Sequence, residues 1–129
     1  RSRPSTATVT GPGDPLAMAS TEPSEPSRKL WGHLQVVVAL LDDQLDPQQA
    51  LDQPRFCISE GEAGGAVSLE AGISSVVLGA LTALGHEVNE VSGQERALFG
   101  RGQIILRDPA SGVLCAGSDP RADGCAMSL

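Results

Sequence analysis

The chain has 129 residues, enough for one domain, and 40% of them are hydrophobic, with two Phe, one Trp and no Tyr. Its core is therefore aliphatic and lacks the large buried area of aromatic rings. Sixteen acidic residues against nine scattered basic ones give a net charge of −7, which excludes a protein that tracks the phosphates of nucleic acid.

No apolar run reaches 18 residues, so a membrane-spanning helix is not expected, and no membrane contact is evident. The N-terminus lacks the basic stretch and apolar run of a signal peptide. It opens on Arg1 rather than Met, which reads as a fragment or a processed piece. Cys57, Cys115 and Cys125 are widely spaced, with no CxxC pair or Cys/His cluster to suggest zinc. They read as free thiols in a reducing compartment, with the cytoplasm favoured. A Cys115–Cys125 bridge stays open.

Residues 1–28 hold five of the nine prolines, many Ser and Thr, and no aromatic residue. Such a stretch buries too little apolar surface to offset the entropy of ordering it. It reads as mostly extended or disordered, with a short strand over Leu16–Ala19. Residues 29–129 read as the folded region.

Leu30, Leu34, Val37, Val38, Leu41 and Leu45 recur at helical spacing and predict a helix over residues 30–44. Val36 and Leu40 widen that face, so cover on more than one side is expected. Asp46 is a suitable N-cap and Pro47 a suitable first-turn residue for a short helix through Leu51. Gln53, before Pro54, is pushed towards extended geometry and ends it.

Phe56–Ser59 predicts a strand, and Gly61, Gly64 and Gly65 a loop. Ala66–Glu70 alternates as a strand does. Ser74 or Ser75 caps a helix running to about Leu84, with Gly85 at its left-handed end. Glu87–Val91 reads as a strand. Gln103–Arg107 and Val113–Ala116 read as a hairpin around Asp108-Pro109-Ala110-Ser111-Gly112. Residues 117–129 read as a tail. The order implies an α+β layer arrangement, a single open sheet with helices on one face and the other face left to seek a partner.

Four stretches carry a family resemblance: Gly32-His33-Leu34-Gln35, Ala50-Leu51-Asp52-Gln53-Pro54-Arg55-Phe56, Phe99-Gly100-Arg101-Gly102-Gln103, and Gly117-Ser118-Asp119-Pro120-Arg121-Ala122-Asp123-Gly124. With them, the chain from about Gly32 onward resembles the C-terminal part of the small subunit in the γ-glutamyltransferase family, and more closely its glutathione-hydrolase-like branch. The resemblance implies an N-terminal-nucleophile hydrolase fold, a four-layer αββα sandwich built by two subunits cut from one precursor. This chain would supply one helix layer and part of a sheet. Its partners would be the large subunit and the N-terminal part of the small subunit.

The implied chemistry uses a freed threonine whose α-amino group serves as its base. The threonine attacks a γ-glutamyl amide, and water or an amine resolves the acyl-enzyme. No cofactor is implied. Glutathione, other γ-glutamyl amides and acylated β-lactams all fit as substrates of the parent.

The family's nucleophile lies far upstream of the long helix, in a Thr-Thr-His or Asp-Thr context. Thr6, Thr8, Thr10 and Thr21 are the upstream threonines here, and none has that context. No catalytic residue is therefore assigned. The family's Gly-Gly pair, whose N–H groups hold the oxyanion, falls on Glu25-Pro26 when counted back from Leu34-Gln35. Pro26 has no N–H to donate and Glu25 brings the wrong charge. Arg3-Pro4-Ser5-Thr6 weakly resembles a family segment that reaches substrate, which makes Ser5 and Thr6 the candidate substrate-binding hydroxyls.

His33 lacks an adjoining catalytic partner, and His86 suits a helix end as a cation. Asp42, Asp43 and Asp46 lack the glycine-bearing loop of a calcium site and read as a solvated helix end. Asp119 and Arg121 read as a structural latch holding the tail to the body, with anchoring of the partner subunit as the alternative.

The expected function is that of an inactive C-terminal fragment of such an amidohydrolase. The rival reading is a non-catalytic remnant that binds through an exposed sheet face.

Overall fold

The computed structural model describes residues 5–10, 15–20, 26–58 and 66–127, with side chains from residue 30 onward within those ranges. The chain divides into two compact units.

The first unit holds a four-stranded antiparallel sheet. Its strands are β1 (Ser5–Thr10), β2 (Pro15–Ser20), β6 (Gln103–Arg107) and β7 (Leu114–Ser118), in the order β1-β2-β6-β7. β1 pairs with β2 from Ser5↔Ser20 to Thr10↔Pro15, and β2 pairs with β6 through Met18↔Ile104. The strand expected over Leu16–Ala19 lies inside β2. Ser5–Thr10, in the stretch read as mostly extended or disordered, forms strand β1. Its alternating Thr, Ala and Val suit a ladder, and β2 supplies the hydrogen-bond partner that composition cannot reveal.

Helix α1 spans Pro26–Leu41, four residues earlier than its apolar pattern begins. Proline at the first helical position accounts for the early start, since its missing N–H is not needed there. The helix ends as Gln44 takes a left-handed backbone (φ 55°) and Leu45 N donates to Ala39 O at 2.9 Å. Residues 36–41 belong to the first unit and residues 26–35 to the second.

Helix α2 spans Pro47–Asp52, as the cap and proline signals predict. Asp46 Oδ1 accepts from Gln49 N at 2.8 Å, and Asp46 N donates to Gln49 Oε1 at 3.2 Å, a complete capping box. Val36, Ala39 and Leu40 of α1, Ala50 and Leu51 of α2, and Ile104 of β6 form the core of this unit.

The buried side of α1 is only part of the expected face: Val36 and Leu40, expected to widen it, are buried, and Val37 and Leu45 pack against the core. Leu30, Leu34, Val38 and Leu41 are exposed, and at 100° per residue they lie nearly opposite Val36, Ala39 and Leu40. Both stripes are apolar, so periodicity alone does not choose between them.

The second unit holds a three-stranded sheet of β3 (Phe56–Ile58), β4 (Val67–Glu70) and β5 (Val88–Val91), in the order β3-β4-β5. The strands therefore form two sheets, which corrects the single open sheet. β3 runs antiparallel to β4, and β4 parallel to β5. Parallel neighbours need a crossover, and α3 (Ser75–Ala83) supplies it. The expected Gly61–Gly65 loop lies outside the described residues.

Every residue of β4 is buried rather than alternate ones, as befits the central strand. Ser74 caps α3 through Val76 N at 3.3 Å, and Gly85 takes a positive φ of 90° at its end. A 3-10 helix over Gly93–Phe99, which no sequence signal suggested, carries Phe99 inward beside Cys57 and Val91.

Candidate functional site

Each unit has a buried polar centre. In the first, Asp119 follows β7 and Arg121 closes a turn behind Pro120. Both side chains are fully buried. Asp119 Oδ2 accepts from Gly102 N at 3.0 Å, and Oδ1 accepts from Arg121 N and Arg121 Nη1, each at 3.0 Å. The guanidinium also donates through Nη1 to Leu51 O and through Nη2 to Gln53 O, both at 2.8 Å. Those carbonyls stand at the C-terminal end of α2, where helical carbonyls lack partners and a cation is favoured. The Asp119 oxygens accept from the N–H groups of Gly102 and Arg121. The arrangement ties the segment after β7 to the end of α2.

Two glycines let this centre close. A Cβ on Gly102 would lie 2.8 Å from Leu51 Cδ2 and 3.7 Å from Asp119 Oδ2. One on Gly117 would lie 2.7 Å from Pro47 C and 2.8 Å from Gln48 N, both backbone. The Gly102 and Gly117 of the sequence motifs thus mark where α2 meets the sheet.

In the second unit the centre is Glu70, which is 1% exposed. Its Oε2 accepts from Arg55 N at 2.9 Å, and its Oε1 pairs with Arg96 Nε. Arg55 is also buried, and its Nη1 reaches Phe99 O at 3.4 Å. Sequence reading missed this trio. Glu70 ends an alternating strand and Arg55 follows a proline, but their partners lie 15 to 44 residues away, beyond any local pattern.

Glutamine side chains serve both units as one-rung strands. Gln35 accepts from Phe56 N and donates to Phe56 O, both at 2.9 Å, on the edge strand β3. Gln48 does the same for Ser118 N and O at 3.0 Å on the edge strand β7. Trp31 lies against Phe56 with ring centroids 5.9 Å apart.

The remaining sequence candidates do not converge. Ser5 and Thr6 stand in β1, with side chains outside the described residues, and Glu25 also lies outside them. Pro26 heads α1. His33 is half-buried, and His86 is exposed just past α3. Asp46 caps α2, while Asp42 and Asp43 are exposed. Cys57 is buried, and Cys115 and Cys125 are exposed free thiols. At the hairpin tip, the Ser111 hydroxyl and then the Ala110 amide hold the Asp108 carboxyl below its usual range. Among the described residues no cluster of three His, Cys, Asp or Glu is placed to hold a metal, and no helix is long and apolar enough to cross a membrane.

A family model described as gamma-glutamyltranspeptidase matches residues 26–129. No curated protein matches the chain. Among solved structures, the cephalosporin acylase of Bacillus halodurans is 35% identical with a TM-score of 0.66; the match covers 88% of this chain and 19% of that one. The gamma-glutamyltranspeptidase of Pseudomonas nitroreducens, solved with L-DON, is 22% identical with a TM-score of 0.75, covering 100% of this chain and 63% of that one. The Bacillus anthracis transpeptidase CapD is 21% identical with a TM-score of 0.74, covering 100% and 74% respectively. This chain therefore spans about a fifth of the acylase it matches.

The likeness to the last two extends over β1 and β2, ahead of the family model's own match, and gives the fold: α+β, a partial N-terminal-nucleophile hydrolase sandwich. With its long helix, the Asp119–Arg121 pair and all but the first strands inside the matched residues, the chain belongs to the gamma-glutamyltranspeptidase family.

Proposed function

We propose that this chain is the C-terminal part of the small subunit of a gamma-glutamyltranspeptidase-family amidohydrolase, and that it is inactive by itself. The parent reaction is hydrolysis or transfer of a γ-glutamyl amide through a threonine acyl-enzyme. The family match over residues 26–129 supports the parent family, and the reading of inactivity rests on Thr6, Thr8, Thr10 and Thr21, none of which stands in a Thr-Thr-His or Asp-Thr context.

Chemistry points the same way. An N-terminal threonine uses its own α-amine as base, whereas Thr6, Thr8 and Thr10 sit within β1 with amide nitrogens. Pro26 occupies the place of an oxyanion glycine and has no N–H to offer. Loss of one such donor costs about 3 kcal/mol of transition-state stabilisation. Ser5 and Thr6 stay the candidate hydroxyls for a substrate α-carboxylate in the assembled parent. Asp119 and Arg121 act as a latch that holds the tail. The rest of the precursor is the expected partner, and its γ-glutamyl substrate meets the assembled protein rather than this chain.

The test is an assay of residues 1–129 with γ-glutamyl-p-nitroanilide. No turnover above the uncatalysed rate is expected, and robust release of p-nitroaniline would overturn the reading.

A second reading, a non-catalytic binding remnant, draws on one observation. Ile104 is 1% exposed whereas its neighbour Ile105 is 51% exposed, so the Ile105 face of β6 is open where Ile104 is covered. Light scattering separates the two. An orphaned fragment aggregates, and a binding module gives a single narrow peak.

A further inference from the structure

Asp-Pro occurs four times in the chain, at residues 14–15, 46–47, 108–109 and 119–120. In acid this is the peptide bond most readily broken by its own side chain. The aspartate carboxylate closes onto its own carbonyl carbon as a cyclic anhydride. The proline nitrogen, more basic than an ordinary amide nitrogen, leaves once protonated. Asp14 lies outside the described residues. The other three bonds differ in what that reaction needs.

At Asp46-Pro47 the proline is fully buried, so a nitrogen freed there stays against the anhydride and closes the bond again. At Asp119-Pro120 the carboxylate is buried and engaged by Gly102 N and Arg121, away from the water that would open an anhydride. Asp108-Pro109 differs on both counts, since both residues are exposed in the turn between β6 and β7.

The Asp108 carboxylate is held by its own turn. Oδ1 accepts from Ala110 N at 3.1 Å, and Oδ2 accepts from Ser111 N at 3.3 Å and from the Ser111 hydroxyl. These donors keep it ionised in acid, where the leaving nitrogen gains its proton. The carbonyl oxygen of Asp108 accepts from Gly112 N at 2.8 Å, a donor placed where charge grows as the carbon is attacked. Asp46 O and Asp119 O accept comparable bonds from Ala50 N and Ala122 N. Exposure and the Ser111 hydroxyl therefore set the hairpin apart.

We propose that the folded chain cuts itself at the Asp108–Pro109 bond in mild acid, with Ser111 as a positioning residue. A carboxylate oxygen of Asp108 attacks the Asp108 carbonyl carbon. The C–N bond to Pro109 breaks, and its electron pair takes a proton from hydronium, so Pro109 becomes a new N-terminal amine. Water then opens the anhydride and leaves Asp108 with two free carboxyl groups. One water is consumed overall. The pieces stay together, because β7 keeps its ladder to β6 and Arg121 keeps its bonds to Leu51 O and Gln53 O. The cut shows only after denaturation.

Ser111 also sets the pH dependence. The reaction uses the ionised carboxyl and one proton, so its rate climbs as pH falls and levels off once the carboxyl protonates. An unperturbed aspartate levels off near its usual pKa of about 3.9. Asp108 is held below that range, so its rate goes on climbing to lower pH.

The experiment incubates the 129-residue chain in acid, at pH values where circular dichroism shows it folded, and weighs the fragments by mass spectrometry after denaturation. Cleavage at 108–109 is expected to be at least tenfold faster than at 46–47 or 119–120. In urea, where all three bonds are exposed alike, that preference collapses. Ser111→Ala slows the cut at the acid end and moves the levelling-off to higher pH. Where the chain unfolds before levelling-off is reached, the preference among the three bonds in the folded chain decides by itself. Comparable rates at the three bonds in the folded chain, or a Ser111→Ala profile that overlays the parent's, would overturn the proposal. Neither outcome depends on the activity reading above.

Discussion

Helices α2 and α3 invert the usual relation between apolar sequence and burial. α2 is six residues long and half polar, yet Pro47, Ala50 and Leu51 are buried. α3 is nine residues long and almost wholly apolar, yet none of its residues is buried. The difference lies in what meets each helix. α2 rests on Gly117, is capped by Asp46 and has its last carbonyls held by Arg121. α3 is closed by Ser74 at one end and by backbone bonds from Leu84 and Gly85 at the other. Burial here is decided by the neighbour that leaves room, not by the helix that seeks cover.

The buried Asp119–Arg121 pair is where that contrast is most easily broken. Arg121→Ala leaves Asp119 buried without its cation and strips the Leu51 and Gln53 carbonyls of their donor. Breaking a buried pair in this way costs about 3–5 kcal/mol. Arg121→Lys recovers only part of the loss, because an ammonium lacks the planar fork that reaches a carboxylate and two carbonyls together. Urea unfolding of both variants measures it. A loss below about 1 kcal/mol for the alanine variant would mean that α2 is not held by the latch.

Next in size is Gly117→Ala. The added Cβ meets the backbone of Pro47 and Gln48 rather than a side chain that can swing away. α2 must lift from β7, at a cost of about 1–3 kcal/mol. Asp46→Ala acts at the same helix with less force. It removes the acceptor for Gln49 N and should cost about 1 kcal/mol. Both are read from the same titrations, and the ordering Arg121, Gly117, Asp46 is itself the prediction.

These helices were also the most legible part of the chain. Asp46-Pro47 and Gln53-Pro54 fix α2 by local chemistry, and Ser74 and Gly85 bracket α3 for the same reason. The β6–β7 hairpin was legible because Asp108 and Gly112 are turn residues between two apolar runs. What stayed hidden depends on distant partners. The two stripes of α1 are both apolar, so only its neighbours pick Val36, Ala39 and Leu40. β1 becomes a strand because β2 lies beside it. Glu70 reads locally as the polar end of an alternating strand, and its arginine partners come from Pro54-Arg55 and from the unforeseen 3-10 helix. Asp119 and Arg121 could be singled out as a pair, but not their bonds to Leu51 and Gln53, some 70 residues back.

The smallest expected effect falls on α3, and it sharpens the contrast most. Val76 and Leu84 are 77% and 76% exposed, so serine at either position gives up almost no buried area. Changes at surface positions of this kind stay within about 0.5 kcal/mol. Serine at Val76 also trades a β-branched residue for one of similar helix propensity, which removes a second source of change. The double variant Val76→Ser/Leu84→Ser should therefore unfold at nearly the parent's urea midpoint. Its light scattering at high concentration should fall, because an exposed apolar patch has been removed. A loss of 1 kcal/mol or more, on the order of a buried methylene for each site, would mean that α3 is covered in solution. α2 and α3 would then differ only in how they are covered, and not in whether they are.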